Sequence, residues 1–427
     1  MLKNENDLRN CMLLCIWVRY ICEMYINLKQ FVVCKNVESI PNKLVNVMKK
    51  EDFDRARSKM IDQTAIRFIE CVYNIILATI VITSRLFATA WSYAIKISPS
   101  SNEMILSFIW SFSLTALSFL IDFPYFLYRT YTIQENDISD ISTVGSLILQ
   151  ESKKFCLNQV LSFPVIAIII WCFKYIQYTS GNWFYLFFWF IICLITISSL
   201  IIYPLYFAPL HNHYQSLPQG ELRTDIEILA QSVKFPLNDV YVIRELRPPL
   251  NSNAYVYGLY GNKHIVLTET VLGNCEKDEV LALLSHELGH WIHRHTLIHI
   301  ALGQIYLIFI ILVFKCTLNS QGIYRAVGFE DKVQPTLPGL TVVLEYVLEP
   351  LNALMIFLYN YCLRYHEFQA DVFVRKLERA SALENALLRL NKNYVEFPVF
   401  DTSYSVWYFP RPTLLQRLDA LQIQNDL

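Results

Sequence analysis

The sequence has few charged residues, and this scarcity excludes several classes of protein. Asp, Glu, Lys and Arg make up only 17% of the 427 residues, whereas soluble globular domains contain about 25%. The formal net charge is −1, so the chain lacks the basic surplus that would indicate a nucleic-acid partner. Apolar residues make up 54% of the sequence, which predicts a polytopic membrane protein surrounded by a lipid bilayer.

The eleven cysteines contain no CxxC pair, and most of them lie in apolar segments. Cysteines in apolar runs are more often small buried hydrophobic residues than disulfide partners, and we do not expect a metal site made of cysteines. No internal repeat or low-complexity tract is visible, and no small-residue cleavage site follows the first apolar segment. The last absence argues against a cleavable signal peptide.

Apolar runs of about 20 residues, the length that crosses a bilayer, predict the membrane spans. They lie near 11–26, 71–94, 104–128, 155–176, 183–207, 297–315 and 342–363. The first run contains Arg19 and Glu23, so an interfacial amphipathic helix is the alternative there. The last run carries Glu345 and Glu349. We expect a mainly α protein with seven transmembrane helices and its termini on opposite sides of the membrane.

The distribution of basic residues predicts the orientation of these spans. Segment 27–70 contains nine Lys and Arg residues, whereas the short loop 177–182 contains none. Because basic loops stay on the cytosolic side, we place 27–70, 208–296 and 364–427 in the cytosol and the N-terminus across the membrane.

The longest polar segment, 208–296, is predicted to form a small mixed α/β unit. Helical periodicity covers 222–233, and 240–243 is a short apolar strand. A hairpin is expected from 253–258 and 264–267, which alternate on either side of a Gly-Asn turn. The edge strand of such a hairpin can bind an extended peptide through backbone hydrogen bonds, although an ordinary hairpin that covers the next helix is the simpler alternative.

Residues 286–290 have the sequence His-Glu-Leu-Gly-His, which on a helix places both histidines on one face. Two imidazoles one turn apart can bind a single zinc ion, and Glu287 can act as a base on the metal's water. A helix is favoured, because the charged turn 276–279 precedes a largely apolar stretch. A motif this short also arises by chance, so the prediction requires a third ligand.

Glu367 is the best candidate for the third ligand. Thermolysin-type zinc sites take a glutamate from a second helix and leave the fourth position to water. Asp371 lies four residues later on the same helical face, where its carboxylate can accept the free N–H of a histidine ligand. Alone, such a pair would more simply be a solvated helix face, but here it supplies the two parts that the HExxH motif lacks. His293 and His295 are not expected to be ligands, because a further ligand would close the open position. We expect one Zn²⁺ ion per chain.

These patterns divide the chain into four expected domains. They are an N-terminal membrane region of five spans (1–207), a cytosolic-side metalloprotease segment (208–296), two further spans (297–363) and a C-terminal segment with the third ligand (364–427). The HExxH helix runs almost directly into one span, and the Glu367 helix directly follows another. We therefore expect the site at or just inside one membrane face.

Further stretches carry a more specific signal than HExxH, which many proteases share. They are Tyr25–Gln30, Phe207–Leu210, Leu217–Leu222, Phe235–Leu237, Ser252–Gly258, His286–Trp291 and Glu367–Asp371. The Trp after the motif, the Asn-Ala-Tyr-x-Tyr-Gly stretch and the Glu-Phe-Gln-Ala-Asp stretch, in this order, are the most specific. Over nearly its whole length the chain resembles the type I CaaX prenyl endopeptidases, a family of integral-membrane zinc metalloproteases.

This resemblance implies a barrel of seven transmembrane helices around a large chamber, with the zinc site of a small α/β metalloprotease domain facing into it. Family members remove the last three residues of CaaX proteins after prenylation of the cysteine, and some also cut a prenylated precursor upstream. They reside in the endoplasmic reticulum membrane and, in animals, the inner nuclear membrane.

The resemblance also assigns roles to residues. By position, His286, His290 and Glu367 are zinc ligands, Glu287 is the base, and Asp371 is described as the proton donor. For Asp371 we favour the role of orienting a histidine, because its placement four residues after Glu367 suits that geometry.

One position departs from the family pattern. Members usually carry a histidine in a His-Pro-Pro-like stretch near the scissile carbonyl, whereas this chain has Arg411 in a Pro-Arg-Pro stretch. Arginine can donate hydrogen bonds to a developing oxyanion, but it stays charged and cannot shuttle a proton at neutral pH. We also expect Asn253 and Ala254 to bind the extended substrate. Arg364 is expected either to bind a carboxylate or the oxyanion, or to pair with nearby acidic residues.

Two other functions stay open at this point. A membrane quality-control zinc protease with no prenyl requirement would use the same chemistry, so only its substrate preference would differ. A non-catalytic membrane scaffold that has kept a zinc site is less favoured, because Glu287 has no structural task in a closed zinc site. The favoured function is proteolysis of prenylated CaaX proteins.

Overall fold

In the part of the chain that a computed structural model describes, the protein is mainly α-helical with one small sheet. The structure describes the chain except for residues 1–4, 99–101, 135–143, 181–182, 203–212, 245–253, 260–261, 319, 332, 392–395 and 423–427. The chain forms two compact units, each built from separate stretches of sequence. The first comprises 1–32, 58–190 and 306–355, and the second 33–57, 191–305 and 356–427. The four expected domain boundaries stay a prediction.

The helices differ greatly in length. In chain order they are α1 (Glu5–Asn36), α2 (Lys50–Thr83), α3 (Leu86–Ile97), α4 (Glu103–Gln134), α5 (Val144–Ser180), α6 (Phe184–Ile202), α7 (Glu221–Ser232), α8 (Glu269–Asn274), α9 (Lys277–Ile292), α10 (His295–Leu318), α11 (Gln321–Ala326), α12 (Thr336–Val342), α13 (Glu349–Lys376), α14 (Ala380–Leu390), α15 (Thr402–Tyr408) and α16 (Leu414–Gln422).

Within the described residues, five helices are long and apolar enough to cross a membrane: α1, α2, α4, α5 and α10. The bent pair α12 and α13 makes a possible sixth span. The run near 11–26 therefore belongs to a helix of spanning length. The apolar part of α6, Tyr185–Ser198, is shorter than a span, and the predicted run to 207 continues into residues outside the described part. The total of seven spans stays a prediction.

The predicted continuous span at 71–94 is wrong in its bounds. The spanning helix is α2, which begins at Lys50 and ends at Thr83, and a separate helix α3 begins at Leu86. Arg85 lies between them with a φ of 56°, a left-handed conformation that breaks the helix. A Cβ on Gly328 would lie only 2.5 Å from the Cβ of Arg85, so the break packs against a residue that has to be glycine. Composition hides the break because α3 is itself apolar.

The predicted span at 342–363 is also not one straight helix. A π-helical turn, Val343–Val347, separates α12 from α13, and the two helices are bent by 57°. Such π turns insert an extra residue into the helical repeat and often accompany bends.

The second unit contains the predicted α/β elements. Its sheet has the strands β1 (His213–Ser216), β2 (Leu237–Arg244), β3 (Ala254–Leu259) and β4 (Asn262–Thr268) in the order β1-β2-β4-β3. The predicted hairpin is confirmed, since β3 pairs with β4 antiparallel. The predicted helix at 222–233 is α7, which buries Ile226 and Leu229.

A hydrophobic core holds α9 in place within this unit. Val280, Leu284 and Leu288 of α9 are at most 1% exposed and pack in the same cluster as Ile265 of β4 and Ile226 of α7. Nine of the 16 residues of α9 are buried, His286 among them, so the packing of the helix fixes the position of this side chain.

Candidate metal centre

The helix α9 begins at a complete capping box. The backbone N–H of Glu276 donates to the Glu279 carboxylate at 2.8 Å, and the Glu276 side chain accepts from the backbone in return. This start sets the register in which His286 and His290 lie one turn apart on the same face of the helix.

Three side chains from two helices converge here. The Nε2 atoms of His286 and His290 are 3.2 Å apart, and Glu367 of α13 brings its carboxylate oxygens to 3.3 Å from His286 and 3.7 Å from His290. One potential ligand atom from each of the three lies within 4.8 Å of the others. Among the residues that the structure describes, no other group of three such side chains meets this criterion.

Gly289 allows the two helices to come this close. A Cβ at this position would lie 3.2 Å from both the Cα of Ala370 and the ring of Phe373 on α13. A larger residue would therefore push α13 away from α9. The glycine inside the motif thus controls the distance from Glu367 to the histidines.

The donor atoms fit a catalytic transition-metal site. Two imidazole nitrogens and one carboxylate oxygen form the usual protein ligands of hydrolytic zinc, and three ligands leave a fourth position open. His286 is only 6% exposed, so its imidazole is screened from bulk water.

Glu287 is the candidate base beside these ligands. Desolvation raises the pKa of Glu287, and the guanidinium groups of Arg411 and Arg417 offset this effect only in part. A carboxylate with a raised pKa is a better proton acceptor than an ordinary surface glutamate.

Asp371 contacts His286 on the side away from the other ligands. Its Oδ1 atom lies 2.8 Å from Nδ1 of His286, which supports the predicted role of Asp371 in orienting this histidine. Asp371 is 2% exposed, so its charge requires a partner.

Arg417 of α16 is that partner, and nothing in the sequence pattern predicts it. Its Nη2 and Nε atoms donate to the two carboxylate oxygens of Asp371 at 2.7 and 3.0 Å, a two-pronged pairing. Nη2 also lies 3.3 Å from Nδ1 of His286. Arg417 follows Asp371 by 46 positions, so helical spacing does not link it to the site in the sequence.

Comparisons with known proteins identify the family of this chain. A family model described as "CAAX prenyl protease N-terminal, five membrane helices" matches residues 30–213. The model of peptidase family M48 matches residues 216–424, which include the whole site. This chain belongs to peptidase family M48. It is therefore a metalloprotease with a multi-pass membrane region.

Relatives of this M48 peptidase match it over nearly their whole length. The CAAX prenyl protease 1 homolog of Homo sapiens is 30% identical, over 99% of this chain and 97% of its own length. The CAAX prenyl protease 1 homolog of Arabidopsis thaliana is 31% identical, over 95% of both chains. The crystal structure of S. mikatae Ste24p has 26% identity and a TM-score of 0.72, and the match covers 96% of this chain and 98% of that one.

Two arginines predicted to bind substrate have different surroundings in this M48 peptidase. The Arg411 side chain is 67% exposed, and its Nε atom lies 3.6 Å from Glu367. Arg364 is buried and donates to the carbonyl oxygen of Arg411 at 2.9 Å and to Gln416. Arg364 therefore supports the segment that carries Arg411, and its contacts are with neutral acceptors where acidic partners were the expected alternative.

The predicted peptide-binding strand lies at the edge of the sheet. Ala254 begins β3, which pairs with β4 on one side and contacts α9. Asn253 lies outside the described residues.

Proposed function

We propose that this M48 peptidase is a zinc endopeptidase that removes the last three residues of prenylated CaaX proteins. The observation that carries the proposal is the convergence of His286, His290 and Glu367 beside Glu287. Full-length similarity to proteins named CAAX prenyl protease 1 supplies the substrate class. An additional upstream cut in a prenylated precursor would use the same site.

His286, His290 and Glu367 would hold the metal. Zinc, when bound there, supplies a Lewis acid for the scissile carbonyl and acidifies the attacking water. Asp371 keeps the proton of His286 on Nδ1, which leaves Nε2 free to act as a ligand.

Glu287 moves the proton in this proposal. Its carboxylate accepts the proton of the attacking water and later returns it to the leaving nitrogen. Arg411 donates to the oxyanion or to a substrate carboxylate, since its guanidinium is exposed and lies near Glu367. Arg364 would act with it by holding the Arg411 backbone.

Ala254 and Asn253 would hold the substrate as an extended strand added to the edge of the sheet. A prenylated substrate is already anchored in a bilayer, so a multi-pass protease meets it at the membrane surface. We place the protein in the endoplasmic reticulum membrane, with its catalytic side towards the cytosol. In animals, members of the family also reside in the inner nuclear membrane.

The test compares farnesylated and unfarnesylated CaaX peptides of one sequence, with the detergent-purified protein. We expect release of the last three residues from the lipidated peptide alone, and loss of this activity with a chelator. Glu287→Gln should retain metal and lower turnover by about 10²- to 10⁴-fold, because proton transfer loses its base. Metal content and turnover are measured on the same preparations.

Other outcomes would replace the proposal. Equal cleavage of both peptides would identify a quality-control protease without a prenyl requirement. Metal binding without cleavage of either peptide would favour a non-catalytic scaffold and direct attention to Arg411. Normal turnover by Glu287→Gln would refute the assignment of the base.

A further inference from the structure

A second histidine lies directly behind the ligand His290. The Nε2 atom of His290 faces His286 and Glu367, while its Nδ1 atom lies 2.8 Å from Nδ1 of His295. The other ring nitrogen of His295, Nε2, lies 3.0 Å from Oε1 of Gln369 on α13. The Gln369 amide nitrogen in turn donates to the hydroxyl of Tyr365 at 3.2 Å.

Metal binding permits only one arrangement of protons along this chain of contacts. A neutral imidazole that offers the Nε2 lone pair carries its proton on Nδ1. His290 therefore donates from Nδ1, and His295 accepts at Nδ1. The proton of His295 is then on Nε2, where it donates to the Gln369 oxygen. Every donor meets one acceptor, so the contacts and the tautomers are mutually consistent.

Local structure holds His295 in this orientation. Arg294 has a φ of 56° and ends the turn between α9 and α10, which places His295 at the first position of α10. The ring of His295 is 1% exposed and stacks on that of His366 with centroids 4.0 Å apart and planes 9° apart. A buried, stacked ring between two hydrogen-bond partners has little rotational freedom.

We propose that His295 is a positioning residue for the metal centre, which holds His290 by accepting its Nδ1 proton. The proposal rests on the proposed function only in taking His290 as a metal ligand. Partners of this kind fix the orientation of a ligating histidine and increase its basicity, and their loss typically lowers metal affinity about 10- to 100-fold. The neutral imidazole does for His290 what the Asp371 carboxylate does for His286.

The test separates hydrogen bonding from packing with two amide substitutions. The amide oxygen of His295→Asn falls close to the position of Nδ1, so it can still accept from His290. The oxygen of His295→Gln falls near the position of Nε2 and cannot reach. Both variants are made in the full-length Glu287→Gln protein, so that zinc affinity is measured by competition with a chromophoric chelator without any contribution from turnover.

We expect His295→Gln to bind zinc about 10- to 100-fold more weakly and His295→Asn to stay within a few fold of the parent. His293→Gln is the matched control. It removes an exposed imidazole whose ring lies 5.5 Å from that of His295, and it leaves the contact between His295 and His290 in place. It should bind zinc like the parent.

Equal loss of affinity in both variants would show that the ring of His295 matters through packing and would overturn the proposal. Unchanged affinity in both would overturn it as well. If the parent Glu287→Gln protein binds no zinc, both the proposed metal site and this proposal are wrong. A further outcome is that the two His295 variants differ in zinc affinity as expected while the unmodified enzyme does not cleave CaaX peptides. That result would contradict only the proposed function.

Discussion

The two histidines of the metal centre lie one helical turn apart, yet opposite kinds of chemistry support them. His286 faces Asp371, whose buried carboxylate is paired with Arg417. His290 faces the neutral ring of His295, which leads to the neutral amide of Gln369. A carboxylate polarises its histidine more strongly than an imidazole does, but it requires a buried counter-ion.

This difference predicts unequal consequences of substitution. On the charged side, that of His286, removal of Asp371 or Arg417 leaves an unpaired charge in a buried site. On the neutral side, that of His290, removal of a partner leaves only an unsatisfied dipole. The charged side should therefore be essential for folding as well as for the metal, and the neutral side mainly for the metal.

The largest effect is expected from Asp371→Asn. The substitution keeps the shape but leaves Arg417, whose side chain is 15% exposed, without its principal counter-ion. Because breaking a buried pair typically costs about 3–5 kcal/mol, we expect a strong loss of stability together with weaker zinc binding. The measurements are the thermal unfolding midpoint in detergent and the zinc affinity.

The control for this prediction is the double variant Asp371→Asn, Arg417→Met. It removes the unpaired charge and should regain part of the lost stability, although the weak zinc binding should persist. A single variant as stable as the parent would mean that the charge of Arg417 is screened well enough without Asp371, and the comparison between the two sides would lose its basis.

A smaller effect is expected from Arg417→Lys. Lysine keeps the charge but cannot form the two-pronged contact to both oxygens of Asp371, so one charged hydrogen bond is lost. We expect the free energy of unfolding to fall by about 1.5–3 kcal/mol while zinc is retained. Zinc loss as severe as in Asp371→Asn would show that Arg417 itself orients His286.

Regular spacing explains which parts of the site could be predicted. The pairs His286 and His290, and Glu367 and Asp371, each lie four residues apart, and helical geometry alone places the members of a pair on one face. Arg417 has no such relation to the site, because tertiary packing brings it to Asp371 from a different helix. The role of His295 depends on a left-handed residue between two helices, which local composition does not indicate.

The same distinction holds for the fold. Apolar runs identified most of the long helices, and alternation identified the hairpin of β3 and β4. The break at Arg85 and the bend between α12 and α13 were missed, because the chain stays apolar across both. Hydropathy reports which segments avoid water, but it does not report where the backbone turns within them.

The smallest effect, and the sharpest test of the comparison, is expected from Gln369. Gln369→Leu removes the acceptor for His295 Nε2, a half-buried neutral hydrogen bond worth about 1 kcal/mol, so zinc affinity should fall by less than about 10-fold. Gln369→Glu keeps an oxygen acceptor and adds a charge, which makes His295 a better acceptor for His290. We therefore expect Gln369→Glu to bind zinc at least as tightly as the parent, as measured by chelator competition. If the glutamate variant instead loses as much affinity as the leucine variant, the neutral side works through the shape of the amide, and charge cannot explain the difference between the two histidines.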